Sequence, residues 1–245
     1  MLGVQLWIDP GWHVYWKNPG DSGLPTRVKF TLPPGFTAGP LLFPTPLRID
    51  LPGNIVALGY EDSVLLLAQV TPPAQLPSGF TGDFSAAISW LVCSDVCIPG
   101  RATADLTLGA SPSISPANSE LFETARRQLP VDASASADVA QVSNSGQLTQ
   151  QGESWACSLV VEISWKHDAP ADAQFIPGAL DIYNIRDTRI ESTGDKTKIT
   201  FIAQTLAGKK PEPATLEAVV GYKDTEGNRR GVNVIVPLPP PQSKN

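Results

Sequence analysis

The chain has 245 residues, with 18 basic and 24 acidic side chains, 24 prolines, 20 glycines and three cysteines. A formal charge of −6 with no basic run argues against a nucleic-acid surface and leaves proteins or small molecules as partners. Proline stands near twice its usual share of about 5 per cent, while Pro plus Gly stays short of the roughly 25 to 30 per cent of low-complexity chains, so a turn-rich β protein is expected. No apolar run reaches about 18 residues, and Met1-Leu2-Gly3-Val4 leads straight into an alternating strand. The chain therefore reads as soluble without a visible export signal, which leaves the compartment open because a mature or truncated chain would look the same. Two histidines, His13 and His167, one methionine and three cysteines are too few for a zinc site of ordinary spacing, so neither metal nor cofactor is expected.

In chain order, Val4, Leu6 and Ile8 alternate with Gln5, Trp7 and Asp9, then Pro10-Gly11 turns into a second strand over 12–17. His13 lies in its aromatic run and reads as packed or solvated. The segment 18–23 is a loop by composition. Further strands are expected at 26–30, 55–58 and 64–70, separated by turns at Pro33-Pro34-Gly35, Pro52-Gly53 and Pro72-Pro73. About seven short strands at such spacing fit an immunoglobulin-like sandwich.

The chemistry is expected at 89–100. Phe84, Ala86, Ile88, Trp90 and Val92 alternate with their neighbours, so Cys93 ends a strand, and Ala102, Ala104, Leu106 and Leu108 mark a second one leaving after Cys97. Residues facing each other across an antiparallel pair lie about 4.5 to 5.5 Å apart at Cα, within the range a disulfide tolerates. Cys93 and Cys97 are thus expected to pair. The ring they close is short, worth roughly 2 kcal/mol in chain entropy against about 4.7 for a hundred-residue loop, so structural benefit is a weak motive. Redox exchange, a plain structural disulfide and a metal-binding pair all remain open at this point. Cysteine use leans towards an oxidising compartment.

Three stretches carry a resemblance: Pro10-Gly11-Trp12-His13-Val14-Tyr15-Trp16-Lys17-Asn18-Pro19-Gly20-Asp21-Ser22-Gly23-Leu24-Pro25, then Gly59-Tyr60-Glu61-Asp62, then Val92-Cys93-Ser94-Asp95-Val96-Cys97-Ile98-Pro99. In this order, over residues 4–108, they resemble the N-terminal periplasmic region of DsbD-type disulfide reductases, and within it the ScsB branch associated with copper tolerance. The resemblance implies an immunoglobulin-like periplasmic domain, the soluble part of an inner-membrane protein. Such a domain receives electrons from the thioredoxin-like and transmembrane parts of its own full-length protein. It passes them to thioredoxin-fold periplasmic proteins, disulfide isomerase-like or ScsC-like. It also implies that Cys97 forms the mixed disulfide with partners and Cys93 resolves it.

The three-residue spacing is shorter than in the best-known domain of that family, so its cap-loop geometry does not transfer position by position. Tyr60, Glu61 and Asp62 read either as a shielding segment that modulates the thiols or as a polar turn before the strand at 64–70. Asp95 either disfavours a neighbouring thiolate by repulsion or only forms the turn. Two other classes compete: a structural or adhesive immunoglobulin-like protein, and a copper-binding module, for which Met1 is the only thioether.

Beyond residue 109 the texture changes. Ser115-Pro116 and the following 117–128 read as an N-capped helix with Leu121, Phe122, Ala125 and Leu129 on one face, acting as a clip between domains. A Ser/Ala-rich linker is expected over 131–147. Trp155, Cys157, Leu159, Val161, Ile163 and Trp165 then share a strand face, which makes Cys157 a core thiol. Strands are expected at 179–185 and 197–204, and a final hairpin at 215–222 and 232–238 whose turn has no cysteine. Pro237 to Pro241 would form a stiff exit towards a membrane portion. The expected organisation is all-β: a redox domain at 1–110, helix and linker at 111–147, and a second immunoglobulin-like domain at 148–240 without a redox pair.

Overall fold

The computed structural model describes residues 1–110, 117–151 and 154–238. The fold is mostly β and divides into two compact units, Met1–Leu129 and Pro130–Asn245. The first contains β1 (Leu2–Trp7), β2 (His13–Gly20), β3 (Arg27–Thr31), β4 (Thr37–Leu42), β5 (Leu47–Leu51), β6 (Ile55–Tyr60), β7 (Ser63–Thr71), β8 (Thr81–Cys93), β9 (Cys97–Gly109) and α1 (Ser119–Gln128). One sheet runs β1-β7-β4; the other runs β3-β8-β2-β6-β5, with β9 added along β8. The alternation read from the sequence decides the faces. Val4 of β1 packs on Ala86 and Ile88 of β8, with Leu6, Val28, Phe30 and Trp90 around them, while Trp7 at the end of β1 is left 83% exposed. β4 is not legible because its residues are mostly exposed and include Pro40, while β5 alternates Leu47, Ile49 and Leu51 with Arg48 and Asp50 but spans only five residues between Pro46 and Pro52.

The helix belongs to the first unit instead of clipping two domains together. Ala125 is buried and packs with Phe122 and Leu129 on Leu65 and Leu67 of β7, whereas Leu121 faces solvent. The helix starts after Asn118, whose φ is +56°; the expected cap at Ser115-Pro116 lies outside the described residues. Its C-terminal end is satisfied from the β4–β5 connection, since both the N–H and the hydroxyl of Thr45 donate to the Gln128 carbonyl at 2.7 and 2.8 Å.

The second unit contains β10 (Val131–Asp132), β11 (Val139–Gln151), β12 (Ser154–Trp165), β13 (Gln174–Pro177), β14 (Tyr183–Thr193), β15 (Lys196–Thr205), β16 (Ala214–Lys223) and β17 (Arg229–Leu238). Its sheets run β10-β17-β16-β13 and β11-β12-β15-β14 and share one core, with Leu159, Val161, Ile163, Phe201, Leu216 and Val220 all essentially buried. The stretch 131–147, expected as a linker, is strand over much of its length. β10 pairs with Val232 and Asn233, and β11 pairs along β12. As an edge strand, β11 buries only Val139 fully and Val142 and Leu148 in part, so its Ser, Asn and Gln residues disguised it. The strand expected at 179–185 is displaced to Tyr183–Thr193. Of the exit at Pro237 to Pro241, Pro237 belongs to β17 and residues 239–241 lie outside the described residues.

Polar groups complete this second core. Trp165 Nε1 donates to Thr197 Oγ1 at 2.9 Å, and its ring meets Tyr222 edge-on at 4.9 Å between centroids. The Tyr222 hydroxyl donates to Asp138, which also receives His167 Nε2 at 3.2 Å. Asp138 therefore ionises below the ordinary aspartate range, chiefly through the Tyr222 hydroxyl. Asp138→Ala leaves that hydroxyl without its acceptor, and urea denaturation followed by tryptophan fluorescence should show a loss of about 1–3 kcal/mol. Because the folded-state value is depressed, the stability contributed by Asp138 is complete above the ordinary carboxylate value, about 4, and is lost as pH falls through the lower folded value. The two denaturation curves should therefore converge in acid.

Candidate thiol-disulfide site

The strands β8 and β9 pair residue for residue from Thr81 opposite Gly109 to Cys93 opposite Cys97. Ser94, Asp95 and Val96 turn the chain, with the Ser94 N–H donating to the Val96 carbonyl at 3.0 Å. Cys93 and Cys97 are joined by a disulfide, their Cα atoms 4.2 Å apart. Opposed residues in a ladder point to the same face, and alternate residues point to opposite faces. Since Phe84, Ala86 and Ile88 enter the core, Ser89, Leu91 and Cys93 lie on the other side of the sheet, together with Cys97.

The two sulfur-bearing residues live in different surroundings. Cys93 is 2% exposed, packed with Tyr15 and Ala57 and bordered by Ile49, Leu51 and Leu91. Cys97 is exposed at the start of β9, an edge strand, between the exposed Val96 and Ile98. On the opposite, core-side face, a Cβ at Gly100 would fall 2.3 Å from the Trp90 indole, so glycine lets that ring lie across β9.

Pairing of β2 with β8 sets His13 opposite Cys93 and Val14 opposite Val92. His13 is buried, with Nε2 3.2 Å from the Tyr15 hydroxyl and the two rings edge-to-face at 5.1 Å. Burial lowers its pKa, and the charge of Glu61 partly opposes that. Tyr15 is covered by the loop after β2: Gly23, at φ +104°, approaches so closely that a Cβ would sit 2.3 Å from the phenol ring. These neighbours escaped sequence reasoning, because nothing in the run Trp12-His13-Val14-Tyr15 shows which strand it will lie beside.

Tyr60, Glu61 and Asp62 lie on the far side of β2 from the pair. Tyr60 pairs with Val14, is buried, and donates its hydroxyl to the Pro44 carbonyl at 2.7 Å, anchoring the β4–β5 connection. Burial holds its phenol well above the ordinary pKa. Glu61 and Asp62 form an exposed tight turn, with the Ser63 N–H on the Glu61 carbonyl and the Ile8 N–H on the Asp62 carbonyl. Asp95 is exposed at the hairpin tip, between the cysteines. Cys157 is fully buried in the second core, which pushes its pKa up to about 11. Little thiolate is then available for exchange.

Such an arrangement can pass a disulfide outward. An incoming thiolate has a path to the Cys97 sulfur, and the displaced Cys93 remains fixed beside it, ready to attack the mixed disulfide that results.

Residues 1–109 match the family model described as thiol:disulfide interchange protein DsbD, N-terminal. No curated protein matches the chain. The fold matches the crystal structure of the N-terminal periplasmic domain of ScsB from Proteus mirabilis with a TM-score of 0.68 and 18% identity, over 97% of this chain and 87% of that one. At that identity the likeness carries the fold, and it extends through both units. The bridged pair lies at the end of the β8–β9 hairpin, inside the segment 1–109 that is similar to the DsbD N-terminal domain of thiol:disulfide interchange proteins.

Proposed function

We propose that this chain is a periplasmic thiol-disulfide exchange module that relays electrons from a membrane-embedded reductase to thioredoxin-fold partner proteins through Cys93 and Cys97. The observation that carries this reading is the exposed Cys97 bridged to the buried Cys93. In the reduced module, the Cys97 thiolate attacks the partner's disulfide, a new Cys97–partner bond forms, and one partner thiolate leaves. Cys93, deprotonated as it reacts, then attacks the Cys97 sulfur, restores the Cys93–Cys97 bond and expels the second partner thiolate. Two electrons have moved to the partner, which ends as a dithiol. The thioredoxin-like and transmembrane parts of the full-length protein reverse the sequence and reload the pair.

In this reading each unit is an immunoglobulin-like sandwich, with 1–110 as the redox domain. The second is a brace, spacer or docking surface. Its last hairpin is tied at the tip by Asp224, which accepts from the N–H groups of Glu226 and Asn228 and from Arg230 Nε at 2.7 Å, where the first unit has its disulfide. The module is the soluble part of an inner-membrane protein. Asp95 lies at the hairpin tip between the reacting sulfurs, and the charge of Glu61 is felt at His13, which stands opposite Cys93.

Removing the resolving thiol leaves a mixed disulfide with no internal nucleophile to break it. Cys93→Ala should therefore accumulate a covalent adduct with a disulfide-containing thioredoxin-fold protein such as a periplasmic disulfide isomerase, visible on non-reducing gels and released by added thiol. Cys97→Ala should accumulate little. If neither variant forms an adduct and the wild-type bond resists the partner's dithiol, the relay reading fails.

Exposure also orders the thiols by reactivity. After reduction, native alkylation followed by mass spectrometry should label Cys97 first, Cys93 more slowly, and Cys157 only in denaturant. Far-ultraviolet circular dichroism should be unchanged by reduction at room temperature, because opening so short a ring removes only about 2 kcal/mol.

A further inference from the structure

The face of the sheet that carries the disulfide also carries a group of cations. Ser89 of β8 stands between Arg27 of β3 and Arg101 of β9, and Ala87 stands between Lys29 of β3 and Thr103 of β9. Ladder parity puts these residues on the side of Cys93 and Cys97, opposite the core face of Ala86 and Ile88. Arg27, Lys29 and Arg101 line a shallow cleft of about 1130 Å³, and Lys17 at its border adds a fourth cation. Arg27, Lys29 and Arg101 are exposed, and none of the four forms an ion pair among the described residues. Ser89 precedes Cys93 by four residues and Arg101 follows Cys97 by four, a separation of roughly 13 Å along the strands at about 3.3 Å per residue. Carboxylates stand beyond both ends of this group: Asp95 at the tip, and Asp105 and Asp83 further down the hairpin, the latter engaged by the Thr107 hydroxyl at 2.6 Å.

From this placement we infer that Lys17, Arg27, Lys29 and Arg101 form a docking platform for a thiol partner whose surface beside its reactive cysteines is acidic. The inference rests on the exchange reading given above and adds the charge character of the partner. Four cations without a carboxylate partner among the described residues, of which Lys17 lies over the Trp16 ring, make on a chain of net charge −6 a local field of opposite sign to the whole. A partner that must bring a sulfur to Cys97 passes its neighbouring surface over this cleft. Carboxylates there are drawn in, raising the encounter rate by about ten- to a thousandfold at low salt, while cationic surfaces are repelled.

The test uses two synthetic dithiol peptides with the same Cys-x-x-Cys core, one flanked by glutamates and one by lysines, with dithiothreitol as the neutral dithiol. In each reaction the reductant's dithiol becomes a disulfide and Cys93–Cys97 becomes two thiols, so the electrons balance. Rates are expressed relative to those of each peptide with a small-molecule disulfide, which removes differences in intrinsic thiol reactivity. The wild-type chain should prefer the glutamate peptide by at least about tenfold near 0.01 M ionic strength. The preference should vanish near 1 M, where the Debye length falls from roughly 30 to 3 Å. Arg27→Glu combined with Arg101→Glu should abolish or invert it, while Lys209→Glu combined with Lys210→Glu, an equal change of net charge on the second unit, should leave it. Equal normalised rates for the two peptides, or a preference unchanged in the Arg27/Arg101 variant, would overturn the platform while leaving the exchange reading standing. Failure of dithiothreitol and both peptides to reduce the bond removes the exchange reading and the platform with it.

Discussion

The register of β8 against β9 is the constraint on which the rest of the first unit depends. Both strands have 13 residues, and they pair without interruption up to the cysteines. A slip of one residue would turn every side chain of β9 to the opposite face and carry Cys97 away from Cys93. What holds β8 in place is apolar burial: Phe84, Ala86 and Ile88 are nearly inaccessible and packed between the sheets. Each large side chain there is worth about 1.5 to 3 kcal/mol, so the burial along β8 outweighs the roughly 2 kcal/mol of the short covalent ring. The bond is thus free to open without the fold that aligns it.

The same geometry separates the duties of the two sulfurs. Cys93 is backed by Tyr15 and Ala57 and by the pairing of β2, so it is held in place and screened from bulk solvent. Cys97 begins an edge strand and is open to another polypeptide. The loop over Tyr15 depends on Gly23, whose positive φ and missing Cβ allow the close approach. Tyr60 acts further back: its hydroxyl bond to Pro44 fixes the connection between the two sheets, and that same connection closes the end of α1 through Thr45.

In the second unit, side-chain hydrogen bonds supply the structural ties. Asp138 gathers Tyr222 and His167, and Asp224 ties the last hairpin. Cys157 lies inside that core, with its thiol raised to about 11 by burial. One chain therefore contains cysteines of opposite character, and position in the fold accounts for the difference: a strand centre between two sheets for Cys157, a hairpin tip for Cys97.

The period-two runs at Val4-Leu6-Ile8, Phe84 to Val92 and Trp155 to Trp165 determined by themselves that the chain is mostly β, that Cys157 is core, and that Cys93 and Cys97 flank a turn. Alternation is a local signal and survives in any strand with one buried face. Strands with little buried surface do not show it, which is why β4 and β11 are hidden and 131–147 reads as a linker, while β5 alternates over only five residues between Pro46 and Pro52, too short to stand out. Only the tertiary structure decided that His13 stands beside Cys93, that Gly23 covers Tyr15, that Tyr60 is an anchor, and that Arg27 and Arg101 flank one serine on the disulfide's face. Each of these joins residues distant in the chain through strand pairing, and the register that selects partners is set by burial across the whole sheet rather than by any local pattern of residues.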